Sequence, residues 1–209
     1  MQLIAVSDSY LINPSILSRY FSANELENLS KNVPKEQLND RFLGRIALKH
    51  SITDVNFRQI IINYINFGEP ILVNTPNIFC SIAHSHGLGV AITAHFKIGV
   101  DVETIRNHDE SLLQYVASKK EISLFDEENQ DILVTKIWVI KEAISKALGV
   151  GIAYPFKDMV IEKNNSDYLV IVGGLKWFAK VFQHGVYIIG YCYLDSETKK
   201  RLINVKYLQ

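Results

Sequence analysis

At 209 residues the chain exceeds a typical domain of ~100–150 residues and falls short of two comfortable ones, so it suits one large domain or two small lobes. With 48% hydrophobic and 21% charged residues it is no disordered chain, and 22 basic against 22 acidic residues give zero net charge, which argues against a generally basic nucleic-acid binder. Two cysteines, Cys80 and Cys192, exclude a disulfide scaffold and suit a reduced, cytoplasmic chain.

The opening residues lack the basic region of a targeting segment, and residues 3–6, short and apolar, predict a first strand. Ser22-Ala-Asn-Glu25 fits a capping box and predicts a helix start. Pro34 stands where a helix favours its first residue, and 35–52 follows with helical spacing. Arg41, Arg45 and Lys49 recur every four residues along it. Like charges on one stripe repel, so the stripe is either a solvated face or an anion site. Gly68-Glu69-Pro70 and the stretch 74–77 are turn signals. Residues 78–82 predict a strand broken by His84-Ser85-His86-Gly87, and 89–96 with 98–103 predict a hairpin turning near Phe96-Lys97. Residues 107–130 are polar with a helical middle, and 135–148 predict a helix closed by Gly149 and Gly151. Runs at 159–162, 168–172, 177–182 and 186–194, separated by turn residues, predict an antiparallel meander. Helices mixed with antiparallel strands give an α+β class. The apolar stretches 60–67 and 186–194 fall short of the ~20 residues that span a bilayer and read as buried elements.

Three segments carry chemistry. In Gly99-Val-Asp101-Val-Glu103, alternate strand residues share a face at a separation of ~6.7 Å, so Asp101 and Glu103 project together while Val100 and Val102 face a core. A half-exposed strand with ordinary acids outward fits this pattern, and so does a divalent cation between the carboxylates. In Trp138-Val-Ile-Lys141-Glu142-Ala-Ile-Ser-Lys146, the stripe Ile137, Ile140, Ile144 is buried, and Trp138, Glu142 and Lys146 run along another side. Glu142 and Lys146 form either a surface pair or, with the acidic strand, a third carboxylate and a phosphate-facing cation, Lys141 being a second such cation. Ala83-His84-Ser85-His86 offers a His-x-His without a third nitrogen or sulfur ligand at a supporting spacing, so His84 reads as a satisfied turn histidine or a donor to phosphate.

In this order, the segments resemble the 4′-phosphopantetheinyl transferases, specifically the larger monomeric Sfp-type, whose signature is a Gly-x-Asp-x-Glu strand followed by a Trp-x-x-Lys-Glu-Ala-x-x-Lys helix. Ala83-His84-Ser85 resembles that family's Ser-His-Ser, with Ala83 a departure; Ala117-Ser-Lys-Lys-Glu121 resembles its Phe-Ser-x-x-Glu without the aromatic; Gly44-Arg45 resembles its N-terminal helix. The resemblance implies two similar α+β lobes with antiparallel sheets related by a pseudo-twofold, divided as 1–97 and 98–209, and a monomer. It implies transfer of the 4′-phosphopantetheine arm of coenzyme A to a serine of an apo acyl or peptidyl carrier protein, with adenosine 3′,5′-bisphosphate as the other product. Asp101, Glu103 and Glu142 would hold Mg²⁺, with Mn²⁺ as an alternative. Glu142 and Lys146 would be catalytic, and Arg41, Arg45, His84, Lys141 and Lys146 would bind the coenzyme. Residues 107–130, with Lys119 and Lys120, would form a carrier-docking edge. Glu69 stands where many relatives have lysine facing coenzyme A phosphates, so it either points away or another lysine compensates. No nucleic acid or membrane partner is implied. The rival reading is a catalytically silent coenzyme A or nucleotide-binding module. A P-loop phosphotransferase and a zinc hydrolase are disfavoured because neither Gly-x-x-x-x-Gly-Lys-Ser/Thr nor His-Glu-x-x-His occurs.

Overall fold

The computed structural model describes residues 1–8, 13–31, 33–53, 55–65, 67–75, 77–125, 129–151, 154–194 and 204–208. One succession of elements occurs twice. The first pass runs β1 (Gln2–Ser7), α1 (Pro14–Tyr20), α2 (Ala23–Ser30), α3 (Lys35–His50), a 3-10 turn (Phe57–Gln59), then β2 (Ile62–Ile65), β3 (Glu69–Leu72), β4 (Phe79–Ser85) and β5 (Leu88–Ala94). The second runs β6 (Ile98–Thr104), α4 (Glu110–Val116), α5 (Lys119–Ile122), α6 (Gln130–Leu148), a 3-10 turn (Phe156–Asp158), then β7 (Val160–Asn164), β8 (Asp167–Val172), β9 (Leu175–His184) and β10 (Tyr187–Leu194), followed by β11 (Asn204–Leu208).

The strands form a sheet of order β11-β1-β5-β4, a sheet of order β6-β10-β9-β8-β7, and the ribbon β2-β3. All pairings are antiparallel except β1 with β11. Three apolar clusters layer the molecule. One joins α3 to the first sheet through Phe42, Leu43 and Ile46; one lies between the sheets around Val90, Ile92, Val100 and Val102; one joins α6 to the second sheet through Ile137, Ile140 and Ile144.

A buried lysine fastens each long helix to its neighbours. Lys49 of α3 donates to Tyr20 O (2.8 Å) and Phe57 O (3.0 Å) and pairs with Glu25 (3.0 Å). Lys141 of α6 donates to Val116 O (2.7 Å) and Phe156 O (2.9 Å) and pairs with Glu121 (2.9 Å). Glu25 and Glu121 also close the capping boxes that start α2 and α5, at Ser22 and Ser118. One carboxylate thus caps a short helix and neutralises a buried ammonium.

Three expectations change. Residues 89–96 and 98–103 are not a hairpin: β5 is ladder-paired on both edges, to β1 and β4, so β6 leaves that sheet and pairs with β10. The hairpin is β4–β5, whose turn has His86 at φ 42° and Gly87 at φ 87°, the left-handed pair that a tight two-residue turn requires. The stretch 60–67 is not a buried element, for Ile61, Tyr64, Ile65 and Phe67 are exposed on the β2 side of the ribbon. Residues 69–70 belong to β3 rather than to a turn. Among the described residues no helix is long and apolar enough to cross a membrane.

Candidate active site

The site is built where β6 lies directly on α6. A Cβ placed on Gly99 would stand 1.9 Å from the Ala143 carbonyl oxygen, so only glycine lets strand and helix approach this closely. Asp101 and Glu103, on the same strand face as Gly99, are thereby brought to the polar side of α6, with Val100 and Val102 turned into the core between the sheets. Lys146 Nζ reaches Asp101 Oδ1 at 2.6 Å.

Asp101 is not an outward acid on a half-exposed strand. It is 4% exposed and Glu142 7% exposed, because α6 covers the face that alternation alone leaves open. Burial pushes the Asp101 carboxyl up to about 6; Lys146 opposes the rise and Glu103 adds to it. Burial pushes Glu142 up to about 7, with Asp101 and Glu103 adding and Lys146 opposing. Asp101 Oδ2 and Glu142 Oε1 are buried without a hydrogen-bond partner. Two unpartnered carboxylate oxygens and a third carboxylate nearby fit a hard cation such as Mg²⁺, which takes oxygen ligands and keeps part of its water. Among the described residues no three His, Cys, Asp or Glu stand as a finished metal cluster, and Lys146 holds one Asp101 oxygen.

Across the cleft α3 and β4 form a cationic wall. Gly44 lets α3 close on β4, for a Cβ there would meet Ile82 Cγ2 at 2.7 Å. Arg41, Arg45, Tyr64 and His84 then line a cavity of about 410 Å³. Arg45 Nη1 donates to Arg41 O at 2.8 Å, its charge lies 5.1 Å from the Tyr64 ring centre, and its buried Nε has no partner. Burial holds the His84 pKa below the usual imidazole range; Asp40 opposes this, while Lys146, Arg45 and Arg41 reinforce it. A ring surrounded by cations suits an anion, which would favour its charged form.

A family model for the 4′-phosphopantetheinyl transferase superfamily matches residues 97–192, which run from the start of β6 through most of β10. A holo-[acyl-carrier-protein] synthase of Campylobacter curvus is 32% identical over 96 residues, 42% of this chain and 78% of that protein. The chain belongs to the 4′-phosphopantetheinyl transferase superfamily. It is also similar to the 4′-phosphopantetheinyl transferases psf-1 of Bacillus pumilus (27% identical, 54% of this chain and 51% of that protein) and ffp of Bacillus subtilis (25%, 66% and 65%). The matched region thus spans between half and two thirds of those two relatives' length. The solved holo-[acyl-carrier-protein] synthase of Helicobacter pylori in complex with coenzyme A overlays with a TM-score of 0.42 at 22% identity, covering 47% of this chain and 99% of that one.

Within this superfamily member the structure gathers Asp101, Glu103, Glu142 and Lys146 on one side of the cleft and Arg41, Arg45 and His84 on the other. Lys141 does not join them. Its fully buried ammonium is committed to Val116 O, Phe156 O and Glu121, away from the cleft, so its expected contact with the coenzyme is corrected to a role in folding. Trp138 likewise packs edge-on against Phe156, at 5.2 Å. Glu69 does not point away: with Lys146 it lines cleft cavities of about 520 and 490 Å³, and its carboxylate lies where a Gly149 Cβ would come within 2.5 Å. Lys97 and Lys146 line the first cavity with it. Lys119 and Lys120 are exposed on α5, and Tyr115 is exposed on α4. Tyr64 and Ser85, both close to charged groups of the site, carried no local signal: one sits in an apolar run, the other in a turn motif read for its histidines.

Proposed function

We propose that this protein transfers the 4′-phosphopantetheine arm of coenzyme A to a serine of an apo acyl or peptidyl carrier protein. The observation that carries the reading is the set of unpartnered carboxylate oxygens on Asp101 and Glu142 beside Lys146, facing a cleft whose far wall is cationic. A divalent cation held by Asp101, Glu103 and Glu142 would supply charge neutralisation at the coenzyme's pyrophosphate. Arg41, Arg45 and His84 would bind the 3′-phosphate by charge-assisted hydrogen bonds. Lys146 would turn from Asp101 to a phosphate oxygen of the leaving side. The carrier serine oxygen forms its bond to the β-phosphorus, the bond from that phosphorus to the bridging oxygen breaks, and adenosine 3′,5′-bisphosphate departs with that oxygen and the electron pair. Glu142, on the helix face beside Asp101 and Lys146, would accept the serine proton directly or through water. The serine comes from the partner, so no internal nucleophile is required.

The same reading includes two lobes, 1–97 and 98–209, related by a pseudo-twofold; a monomer in the cytoplasm; and carrier docking along 107–130. The repeated element order and the twin lysine fastenings support the lobes. The test is release of adenosine 3′,5′-bisphosphate from coenzyme A, followed by chromatography. It should require the protein, an apo carrier and a divalent cation together. Coenzyme binding with no nucleotide release from any carrier class would instead favour a silent binding module.

A further inference from the structure

We propose that Ser85 is a positioning residue: from the strand of one lobe, its hydroxyl holds the Glu103 carboxylate of the other where that carboxylate would meet a metal. This rests on the metal site proposed above, and its test reads metal binding without transfer.

β4 and β6 are edge strands of different sheets, and no backbone ladder joins them. An edge strand leaves alternate N–H groups without a strand partner, and buried ones must find another acceptor. Here two serine hydroxyls serve. Val100 N–H donates to Ser81 Oγ at 3.1 Å, and Thr104 N–H donates to Ser85 Oγ at 3.3 Å. Both serines are buried, at 3% and 6% exposure. They lie four residues apart on β4 and take N–H groups four residues apart on β6, so as stitches between the sheets they are equivalent.

They differ in where the hydroxyl proton can go. Ser85 donates its proton to Glu103 Oε2 at 3.0 Å and accepts from Thr104 N–H, with Thr104 Oγ1 (3.3 Å) and His86 Nδ1 (3.1 Å) also within hydrogen-bond distance of its oxygen. The turn after Ser85 is anchored from both lobes: Gly87 N–H donates to Asp40 Oδ1 at 2.8 Å, and the Tyr187 hydroxyl donates to His86 O at 2.7 Å. Ser85 is therefore a fixed post. Asp101 and Glu142 are held by burial, whereas Glu103 is half-buried at the rim of the site. Without the Ser85 hydroxyl its carboxylate is free to turn to water, and the donor set loses a member.

Calorimetric titration of the whole protein with Mg²⁺, with no carrier present, separates this role from scaffolding. Hydrogen bonds to a ligating carboxylate are worth ~10–100-fold in metal affinity, so Ser85→Ala should weaken Mg²⁺ binding ~10-fold or more, Ser81→Ala less than about twofold, and Ser85→Thr should restore most of the loss. Both alanine variants should melt below the parent, since each loses one stitch, and Ser85→Ala also loses the bond to Glu103. Where Ser85→Ala does not fold, Ser85→Cys reads the same loss with a weak donor in place. Equal Mg²⁺ losses in the two alanine variants, parent-like binding by Ser85→Ala, or no Mg²⁺ binding by the parent overturns the proposal. The expected pattern in a protein that never modifies a carrier would sink the transfer reading and leave the role of Ser85 standing.

Discussion

Replacing Lys141 with methionine separates a folding residue from a coenzyme ligand. Methionine keeps the length and apolar volume but removes the ammonium. Glu121, 4% exposed, then loses its ion pair, and the carbonyls of Val116 and Phe156 lose their donor. Breaking a buried pair from one side costs ~3–5 kcal/mol. Glu121 keeps the backbone donors Ser118 N–H (2.8 Å) and Ile161 N–H (3.1 Å), which favours the lower end. For a chain of this size ~1 kcal/mol moves the melting temperature by ~2–4 °C, so ~3 kcal/mol predicts a fall of ~6–12 °C. Combining Lys141→Met with Glu121→Gln removes the orphaned charge and should recover part of the fall. Circular-dichroism melts give the stability, and calorimetric titration at a temperature where the variant is folded gives coenzyme affinity, expected within about threefold of the parent. A variant that melts like the parent yet loses coenzyme affinity tenfold would return Lys141 to the cleft.

Other consequences follow from the same geometry. Asp101 and Glu142 titrate higher in the folded chain, at about 6 and about 7, than the ordinary values of 3.8 and 4.5, so the folded state binds more protons; the stability this confers is complete below those ordinary values and is lost as pH rises through the folded ones. In metal-free buffer the melting temperature of the parent minus that of the Asp101→Asn, Glu142→Gln double variant should therefore fall between pH 5 and pH 8, and Mg²⁺ should restore it at pH 8; a difference that grows with pH contradicts the burial argument. Gly99→Ala drives a Cβ to 1.9 Å from the Ala143 oxygen, a backbone atom that cannot rotate away, and should cost ~3 kcal/mol together with Mg²⁺ binding, read by chemical denaturation and calorimetry. Arg45→Ala and His84→Ala should weaken coenzyme A ~10-fold or more, and 3′-dephospho-coenzyme A far less, because one charge-assisted contact to phosphate is lost; equal losses for the two ligands reject the assignment.

The local grammar of the sequence reaches part of this. Alternation and turn residues predict the meander β7–β10, and helical spacing with a terminal glycine predicts α6. α1 is equally readable from Asn13-Pro14, a side-chain cap followed by proline in the first turn. The pairing of β5 was not local. Its partner β1 lies at the start of the sequence, and a short connection to β6 mimics a hairpin when β1 is ignored. Alternation assigns Asp101 and Glu103 to one face but says nothing of what covers that face, so the burial by α6 and the raised pKa values were invisible. Lys141 carried a signal in Ser118-Lys-Lys-Glu121: the Ser-x-x-Glu spacing is a capping box like Ser22–Glu25, and each box supplies the acid for a buried lysine. Exposed Ile61, Tyr64, Ile65 and Phe67 show the limit of composition, since apolar residues on a two-stranded ribbon with one covered face must partly meet solvent.

In the function proposed here, the carboxylates on β6 and α6 serve transfer of a phosphopantetheine arm. Intact-mass spectrometry of several purified apo carrier proteins, each incubated with this protein, coenzyme A and Mg²⁺, tests it most directly. At least one carrier should gain one phosphopantetheine, and the gain should be lost when the carrier serine is alanine and when Asp101 is replaced by alanine. Unchanged masses across acyl and peptidyl carriers, with folded and coenzyme-saturated protein, would contradict it.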